Sequence, residues 1–400
     1  MAEWREYEVS DVISKVIDYR GKTPKKLGSD WSDSGYRALS AKNIKTGKIV
    51  QTDSIRYVSE ELYKKWMIEE VFEEDILITS EAPLGQIYFW DSTEKIVLSQ
   101  RLFAVRVNEM FYPKYIYFYM MSQFFQDELN SRATGTTVLG IRQTELLKCK
   151  IFAPSYQEQK RIADLLWCIE QKIKSNEEIN NNLEELAQVY FNKLFIANPK
   201  TEWSKGSLSD LGTIVGGGTP SKQHLEYYMK DGIPWITPKD LSKDNSKFII
   251  RGEKDISEVG FKNSSAVKIP RGSILFSSRA PIGYIAIAAN EVTTSQGFKS
   301  VVPKKNASTA YIYYFLKHNL PVIESLASGS TFKEISGAGM KSVPTYIPDE
   351  ATMLKFSDFC APIFNKQEIL EAENKKLTVI RDSLLPKLLS GEHNLKHIAF

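Results

Sequence analysis

The sequence predicts an α+β chain in which one mixed unit is used twice, each copy followed by a long helix. Three observations carry this expectation. First, 400 residues exceed one ordinary domain, and an apolar share of 42% beside a charged share of 25% is that of a folded chain. Second, the chain repeats itself: Trp4 matches Trp203, Thr23-Pro24 matches Thr219-Pro220, and Val58-Ser59-Glu60 matches Ile256-Ser257-Glu258. Ser99-Gln100 matches Ser295-Gln296, Tyr115-Ile116-Tyr117 matches Tyr311-Ile312-Tyr313, Gly135-Thr136-Thr137 matches Gly329-Ser330-Thr331, and Pro154 matches Pro348. The offset drifts only from 199 to 194, so this is one tandem duplication and not a short solenoid repeat. Third, two heptad seams follow the mixed units.

Each unit opens with short β-rich runs, in the first copy at 75–79, 86–90 and 98–107, separated by turn signals. Pro113 then starts the aromatic helical stretch YIYFYMMSQFF. After Pro154 the chain reads as a long helix: Ser155 can cap it, Glu158 stands three residues on, and neither Gly nor Pro recurs before Pro199. Its counterpart after Pro348 opens on Asp349, also a good cap. Apolar positions in the first helix recur through Ile162, Leu166, Ile169, Ile173 and Leu183, with Asn176 and Asn180 in the seam. In the second they recur through Phe356, Ile363, Leu370, Leu377 and Leu384, with Asn374 at the position matching Asn180.

Helices of about 40 residues would span about 60 Å, more than a small domain is wide, so they need each other. If a pseudo-two-fold axis relates the units and crosses between the helices, they run antiparallel with the mixed units at opposite ends of a rod; a parallel pair is the alternative. Pro362 and Pro386 should kink the second helix or open a turn in it.

One motif stands out in both copies. Ile76-Leu77-Ile78-Thr79-Ser80-Glu81-Ala82-Pro83-Leu84-Gly85 aligns with Ile274-Leu275-Phe276-Ser277-Ser278-Arg279-Ala280-Pro281-Ile282-Gly283. The apolar run reads as a core strand and Ala-Pro-x-Gly as a turn. Glu81 becomes Arg279 between the copies.

Catalytic equipment is missing from the sequence. A G-x-x-x-x-G-K-[ST] loop is absent, and Gly216-Gly217-Gly218 leads into Thr-Pro and reads as a tight turn. The Asn/Asp-Pro-Pro-aromatic signature of amino-methyltransferases is also absent. Ser80 and Ser278 lack the first Gly of a nucleophile elbow. His224, His318, His393 and His397 are too scattered to hold a metal, and Cys149, Cys168 and Cys360 read as reduced thiols of a cytosolic protein. The start, MAEWREYEVS, does not read as a secretory signal, and no apolar run approaches membrane length.

The net charge of +3 is nearly balanced, so any basic surface must be local. Loops rich in Lys, Thr, Ser and Asn suit phosphate contacts, while Arg, Gln and Asn read base edges. The candidates in the first unit are Lys22, Thr23, Lys25, Lys42, Asn43, Glu81, Gln100, Arg101, Thr136 and Arg142. Those in the second are Thr219, Ser221, Lys222, Lys239, Arg279, Gln296, Thr331 and Lys333. An Arg donates two hydrogen bonds to guanine and a Glu accepts from cytosine N4, so Glu81 and Arg279 near DNA would read different bases.

The chain resembles the specificity subunits of type I restriction-modification systems along essentially its whole length. The resemblance rests on Leu208–Leu211 leading into Gly216-Gly217-Gly218-Thr219-Pro220-Ser221, and on Ile233-Pro234-Trp235-Ile236-Thr237-Pro238. It rests also on Glu158-Gln159 with Ile162 at the helix entry, and on Arg381-Asp382-x-Leu384-Leu385-Pro386-Lys387-Leu388-Leu389-Ser390-Gly391-Glu392. The first unit departs at its start, with Tyr19-Arg20-Gly21-Lys22-Thr23-Pro24.

The resemblance implies two mixed α/β target recognition domains, at 1–153 and 199–347. It implies coiled-coil spacer helices at 154–198 and 348–392, antiparallel, and leaves a tail at 393–400. It implies no catalysis and no cofactor or metal on this chain. Each domain would read one half of a bipartite, asymmetric double-stranded DNA site. The helices would dock two methyltransferase subunits that use S-adenosylmethionine, and restriction subunits would use ATP and Mg2+. No membrane is implied. A solitary DNA-modifying enzyme with a duplicated domain, or a coiled-coil scaffold that does not bind DNA, are the alternatives.

Overall fold

The protein was analysed as a computed structural model, which describes residues 4–390 except 245, 280 and 330–332. The chain divides into two compact units, Met1–Ile173 with Leu377–Phe400, and Lys174–Lys376. Both long helices therefore contribute to both units.

The first unit is built on a four-stranded antiparallel sheet in the order Ile13–Asp18, Leu102–Val107, Ile76–Thr79, Ile87–Phe89. A three-stranded sheet sets Tyr36–Leu39 between Arg56–Val58, antiparallel, and Ile96–Leu98, parallel. The second unit repeats the plan. Gly212–Gly216, Lys299–Pro303, Ile274–Ser278 and Ile282–Ala288 form the same antiparallel order, with Phe248–Ile249 added in parallel at the edge. Ile233–Ile236 pairs with Lys254–Ile256 and, in parallel, with Thr293–Thr294.

The run at 98–107, expected as one strand, is two. Ser99, Gln100 and Arg101 carry the chain from one sheet to the other, and Arg101 turns it with φ of 64°. The aromatic stretch is also two helices, Pro113–Met121 and Gln123–Ser131. Ser122 ends the first and caps the second, accepting from the Phe125 N–H. Tyr115 through Met120 are all buried against the sheet.

The first long helix spans Tyr156–Phe191 and the second Glu350–Leu389. The second begins as its cap predicts, the Thr352 N–H donating to Asp349 Oδ1 at 2.9 Å. It then runs on through Pro362 and Pro386, where the sequence predicts a kink or an opened turn. Packing explains the continuity: Phe356, Cys360 and Ile363 lie in the second unit's core, and Leu385, Leu388 and Leu389 in the first unit's. A proline removes one helical N–H, and burial of the flanking turns offsets that loss.

Within each unit the two helices run antiparallel. In the first unit Ile162, Ala163 and Leu166 share a core with Leu385, Leu388 and Leu389, and Glu170 pairs with Arg381 at 2.5 Å. In the second, Asn176 meets Asn374, Gln367 Nε2 donates to the Asn180 carbonyl at 3.1 Å, and Tyr190 lies on Phe359. Among the expected seam residues, Ile162, Leu166, Ile173, Phe356, Ile363 and Leu370 are buried. Ile169, Asn180, Leu183, Asn374, Leu377 and Leu384 are half-buried.

Of the two seam asparagines of the first helix, Asn176 meets Asn374 by side chain, while Asn180 takes part through its carbonyl. The Asn176 Nδ2 donates to Asn374 Oδ1 and to Glu373 Oε2, both at 2.8 Å. Positions that match by duplication lie at the same height in their own halves, so an antiparallel pair brings 374 to 176. Asn176 is fully buried. Asn176→Ala is expected to cost about 2 kcal/mol, from stranded polar partners and a small void. Chemical denaturation with the linear extrapolation would measure it.

Candidate nucleic-acid interface

The duplicated motif is the frame of the site. In the first unit Thr79 Oγ1 donates to the Pro83 carbonyl at 2.6 Å and accepts from the Gln86 N–H at 2.8 Å. In the second Ser277 Oγ donates to the Pro281 carbonyl at 2.9 Å and accepts from the Tyr284 N–H at 2.8 Å. One buried hydroxyl thus ties each turn across its mouth. The next carbonyl is held alike: Ile141 N–H donates to Ser80 and Ile335 N–H to Ser278. Glu81 and Arg279 follow these fixed points and therefore occupy the same place in their units.

In the first unit two clefts of about 350 Å³ each meet at the Gln100–Arg101 crossing. One is lined by Asp18, Arg20, Glu81, Gln100 and Arg101. The other includes Trp31, Lys42, Ser54, Arg56 and Ala82 with the same Gln100 and Arg101. Arg101 Nε lies 3.1 Å from Glu81 Oε1. Arg20 is held on its own side by Asp18 at 2.8 Å and lies over the Phe103 ring at 3.9 Å. The clefts join guanidinium groups, carboxylates, an amide and an indole, a set that can donate to and accept from base edges and phosphates.

Trp31 and Arg56 are absent from the sequence candidates. Arg56 lies over the Trp31 ring at 5.2 Å. The three-stranded sheet brings Arg56 to the cleft, where Trp31 also lines it.

Two of the candidates are engaged by neighbouring groups of their own unit. Asn43 is fully buried, and its side chain accepts from the Ser40 N–H and hydroxyl and donates toward Val50, Gln51 and Ser54. It caps its own turn at the floor of the second cleft. Lys22 Nζ donates to the Trp66 carbonyl at 2.8 Å and lies over the Tyr19 ring at 4.4 Å. Burial draws its pKa below the ordinary lysine value. It anchors the loop that the second unit builds from glycine.

The remaining first-unit candidates are accessible. Thr23 is half-buried and accepts from the Lys26 N–H, while Lys25, Lys42, Gln100, Thr136 and Arg142 are exposed. Lys42 lines the second cleft, whereas Thr136 and Arg142 lie in the loop that follows Arg132.

In the second unit Gly217 and Gly218 thread between neighbouring backbones, and the Trp235 Nε1–H donates to the Gly218 carbonyl at 2.9 Å. Thr219 Oγ1 accepts from the Gln296 N–H at 3.3 Å, which joins two of the candidates. Ser221, Lys222, Gln296 and Lys333 are exposed. Lys239 is also exposed and pairs with Glu253 at 3.5 Å. Arg279 pairs with Glu334 at 3.4 Å, and Lys299 reaches the same carboxylate at 3.5 Å. Thr331 lies outside the described residues, as does the tail at 393–400. Among the described residues no three His, Cys, Asp or Glu side chains gather as a metal site. No helix among them is long and apolar enough to cross a membrane.

Comparison with known proteins agrees with this duplicated plan. The family described as type I restriction modification DNA specificity domain matches twice, over residues 1–185 and 200–379. The type I restriction enzyme HindI specificity subunit of Haemophilus influenzae is 24% identical over 98% of this chain and 100% of its own. The MjaIX specificity subunit of Methanocaldococcus jannaschii is 40% identical over 190 residues, 45% of this chain and 44% of that one. The crystal structure of a type I restriction-modification S subunit from M. genitalium superposes with a TM-score of 0.64 over 97% of this chain and 96% of its own. At 17% identity that likeness speaks for the fold. With both of its mixed units matched, the chain belongs to the type I restriction-modification DNA specificity family and carries that family's domain in two copies.

Proposed function

We propose that the chain directs a type I complex to a DNA site of two unlike halves separated by a fixed gap. Residues 1–153 and 199–347 each read one half. The helical segments 154–198 and 348–392 set the gap and dock two methyltransferase subunits. Those partners bring S-adenosylmethionine, and restriction subunits bring ATP and Mg2+. The chain itself does no chemistry, and the assembly works on double-stranded DNA in the cytoplasm. One observation carries the reading. The same strand order appears twice with the same hydroxyl-tied turn, and the residue presented within that turn is Glu81 in one unit and Arg279 in the other. A repeated frame with exchanged display suits two unlike half-sites.

The test is methylation mapping with the methyltransferase partner. The complex is expected to methylate adenine at a two-part motif of fixed gap, and the chain alone to methylate nothing. The unit boundary cuts the helices between Ile173 and Lys174 and between Lys376 and Leu377. One heptad inserted at both points keeps the seam in phase. It adds about 10 Å, and should lengthen the gap by roughly three base pairs while leaving both half-sites unchanged. A continuous motif, or altered half-sites after insertion, would refute the proposal.

A further inference from the structure

We infer that each unit reads a guanine through one arginine steadied by one glutamate, and that the two units draw this pair from different positions of the repeat. In the first unit the reader is Arg101, held by Glu81. In the second it is Arg279, held by Glu334. This rests on the DNA-specificity reading above and commits that site to residues and a base.

The geometry begins from matched positions. Glu81 and Arg279 coincide by duplication, and both follow a serine whose carbonyl is fixed by a backbone N–H. Each also forms an isolated bridge to the same passing strand, Glu81 with Gly140 and Arg279 with Glu334. Gly140 and Glu334 match by the offset of 194. In the first unit a glycine there makes room for Glu81: a Cβ on Gly140 would lie 3.2 Å from the Glu81 Cβ. In the second unit a carboxylate stands there instead and meets the arginine.

Arg101 supplies the independent observation. Its counterpart by duplication is Gly297. The backbone at 101 is left-handed, φ 64°, a conformation that glycine takes freely and a side-chain-bearing residue does not. The first unit keeps an arginine in this conformation, although the matched Gly297 does not adopt it. Its contact with Glu81 does not explain this for stability, because both side chains are about half exposed and such pairs contribute little. The same arginine lies at the junction of both clefts. A backbone conformation kept against preference, at an exposed charged side chain in a cleft, points to a ligand.

The chemistry selects the base. A guanidinium carries five N–H donors in a planar fork and can donate two parallel hydrogen bonds to guanine O6 and N7. Glu81 takes the Nε edge of Arg101 and Glu334 the Nη1 of Arg279, so each carboxylate orients the fork with donors left over. Glu81 thus serves the arginine and does not itself read cytosine.

Adenine methylation is mapped for the complex with its methyltransferase partner, using wild type, Arg101→Gly, Arg101→Lys and Arg279→Ala. Both Arg101 variants should accept other bases at one guanine of the first unit's half-site, with discrimination there falling about ten- to a hundredfold. The other half-site should be unchanged. Arg279→Ala should relax one guanine of the opposite half-site. Arg101→Gly should also melt no lower than wild type, because it relieves the left-handed residue. An intact motif methylated uniformly less would overturn the inference by making the arginine a phosphate contact. A lowered melting point with no change of motif would overturn it by making Arg101 part of the fold. A wild-type complex without a two-part motif would instead overturn the DNA-specificity reading itself.

Discussion

Gly217→Ala is expected to destabilise the second unit on the order of 3 kcal/mol, whereas Gly21→Ala, at the matching position of the first, is expected to be silent. A Cβ on Gly217 would lie 2.0 Å from the Ser295 carbonyl oxygen and 2.6 Å from that of Thr294, both backbone atoms. Neither can turn aside like a side chain. The loop would have to lift, losing the Gly218 N–H bond to the Thr294 carbonyl at 2.9 Å and the hold of Trp235 on Gly218. Thr219 would be drawn away from Gln296, so the presented surface would change together with stability. A Cβ on Gly21 has nothing within 4 Å. In the first unit Lys22, bonded to the Trp66 carbonyl, holds the loop by a side chain instead. Thermal melts of the two variants would decide it, and equal losses would mean that the loops are built alike.

Lys247→Met is expected to cost about 3 kcal/mol, the lower end of what breaking a buried ion pair costs. The lysine side chain is only 6% exposed. Its Nζ reaches Glu184 at 2.7 Å, Gln367 at 3.0 Å and the Tyr314 hydroxyl at 3.1 Å, and lies 3.6 Å from the Phe364 ring centre. Burial draws its pKa down to about 8 against the pull of Glu184. Burial alone would raise Glu184, but the ammonium groups of Lys247 and Lys317 bring it down to about 2. Lys317, 2.6 Å away on the other oxygen, keeps the loss in Lys247→Met from being larger. The Glu184 contribution is full above pH 4.5 and is lost as pH falls toward 2, because the unfolded chain takes up the proton first. Lys247→Met should therefore show a shallower acid loss of stability than wild type. Pairing it with Glu184→Gln should recover part of the deficit. Urea unfolding between pH 2 and 7 would measure both, and an unchanged acid limb would refute the assignment.

The duplication, the helices and the hydroxyl-bearing turns were legible in the sequence because they rest on periodicity and recurrence. What was not legible came from contacts between distant segments. The crossing at Ser99–Arg101 is apolar on both sides, so alternation reads as one strand, and only pairing with two different sheets divides it. Pro362 breaks a helix in isolation, and only the Phe356–Ile363 packing carries the helix past it. Asn176, Asn180 and Asn374 all fall in the expected seams, but which two side chains meet depends on the register of the helix pair, which joins Asn176 to Asn374. Charge counting cannot tell a lysine that faces solvent from Lys22, whose ammonium closes a loop from within. Trp31 and Arg56 reach the cleft through the folding of the chain around the three-stranded sheet, which a local reading of the repeat does not show.

The shared helices also bear on how the chain comes into being. The first unit's core contains Leu385, Leu388 and Leu389, which leave the ribosome after every residue of the second unit, 174–376. The earlier-synthesised unit must therefore wait, its apolar surface along Ile162, Ala163 and Leu166 uncovered, while some two hundred further residues are translated. The second unit has all its residues as soon as 376 emerges, so closure on the nascent chain runs opposite to the order of synthesis.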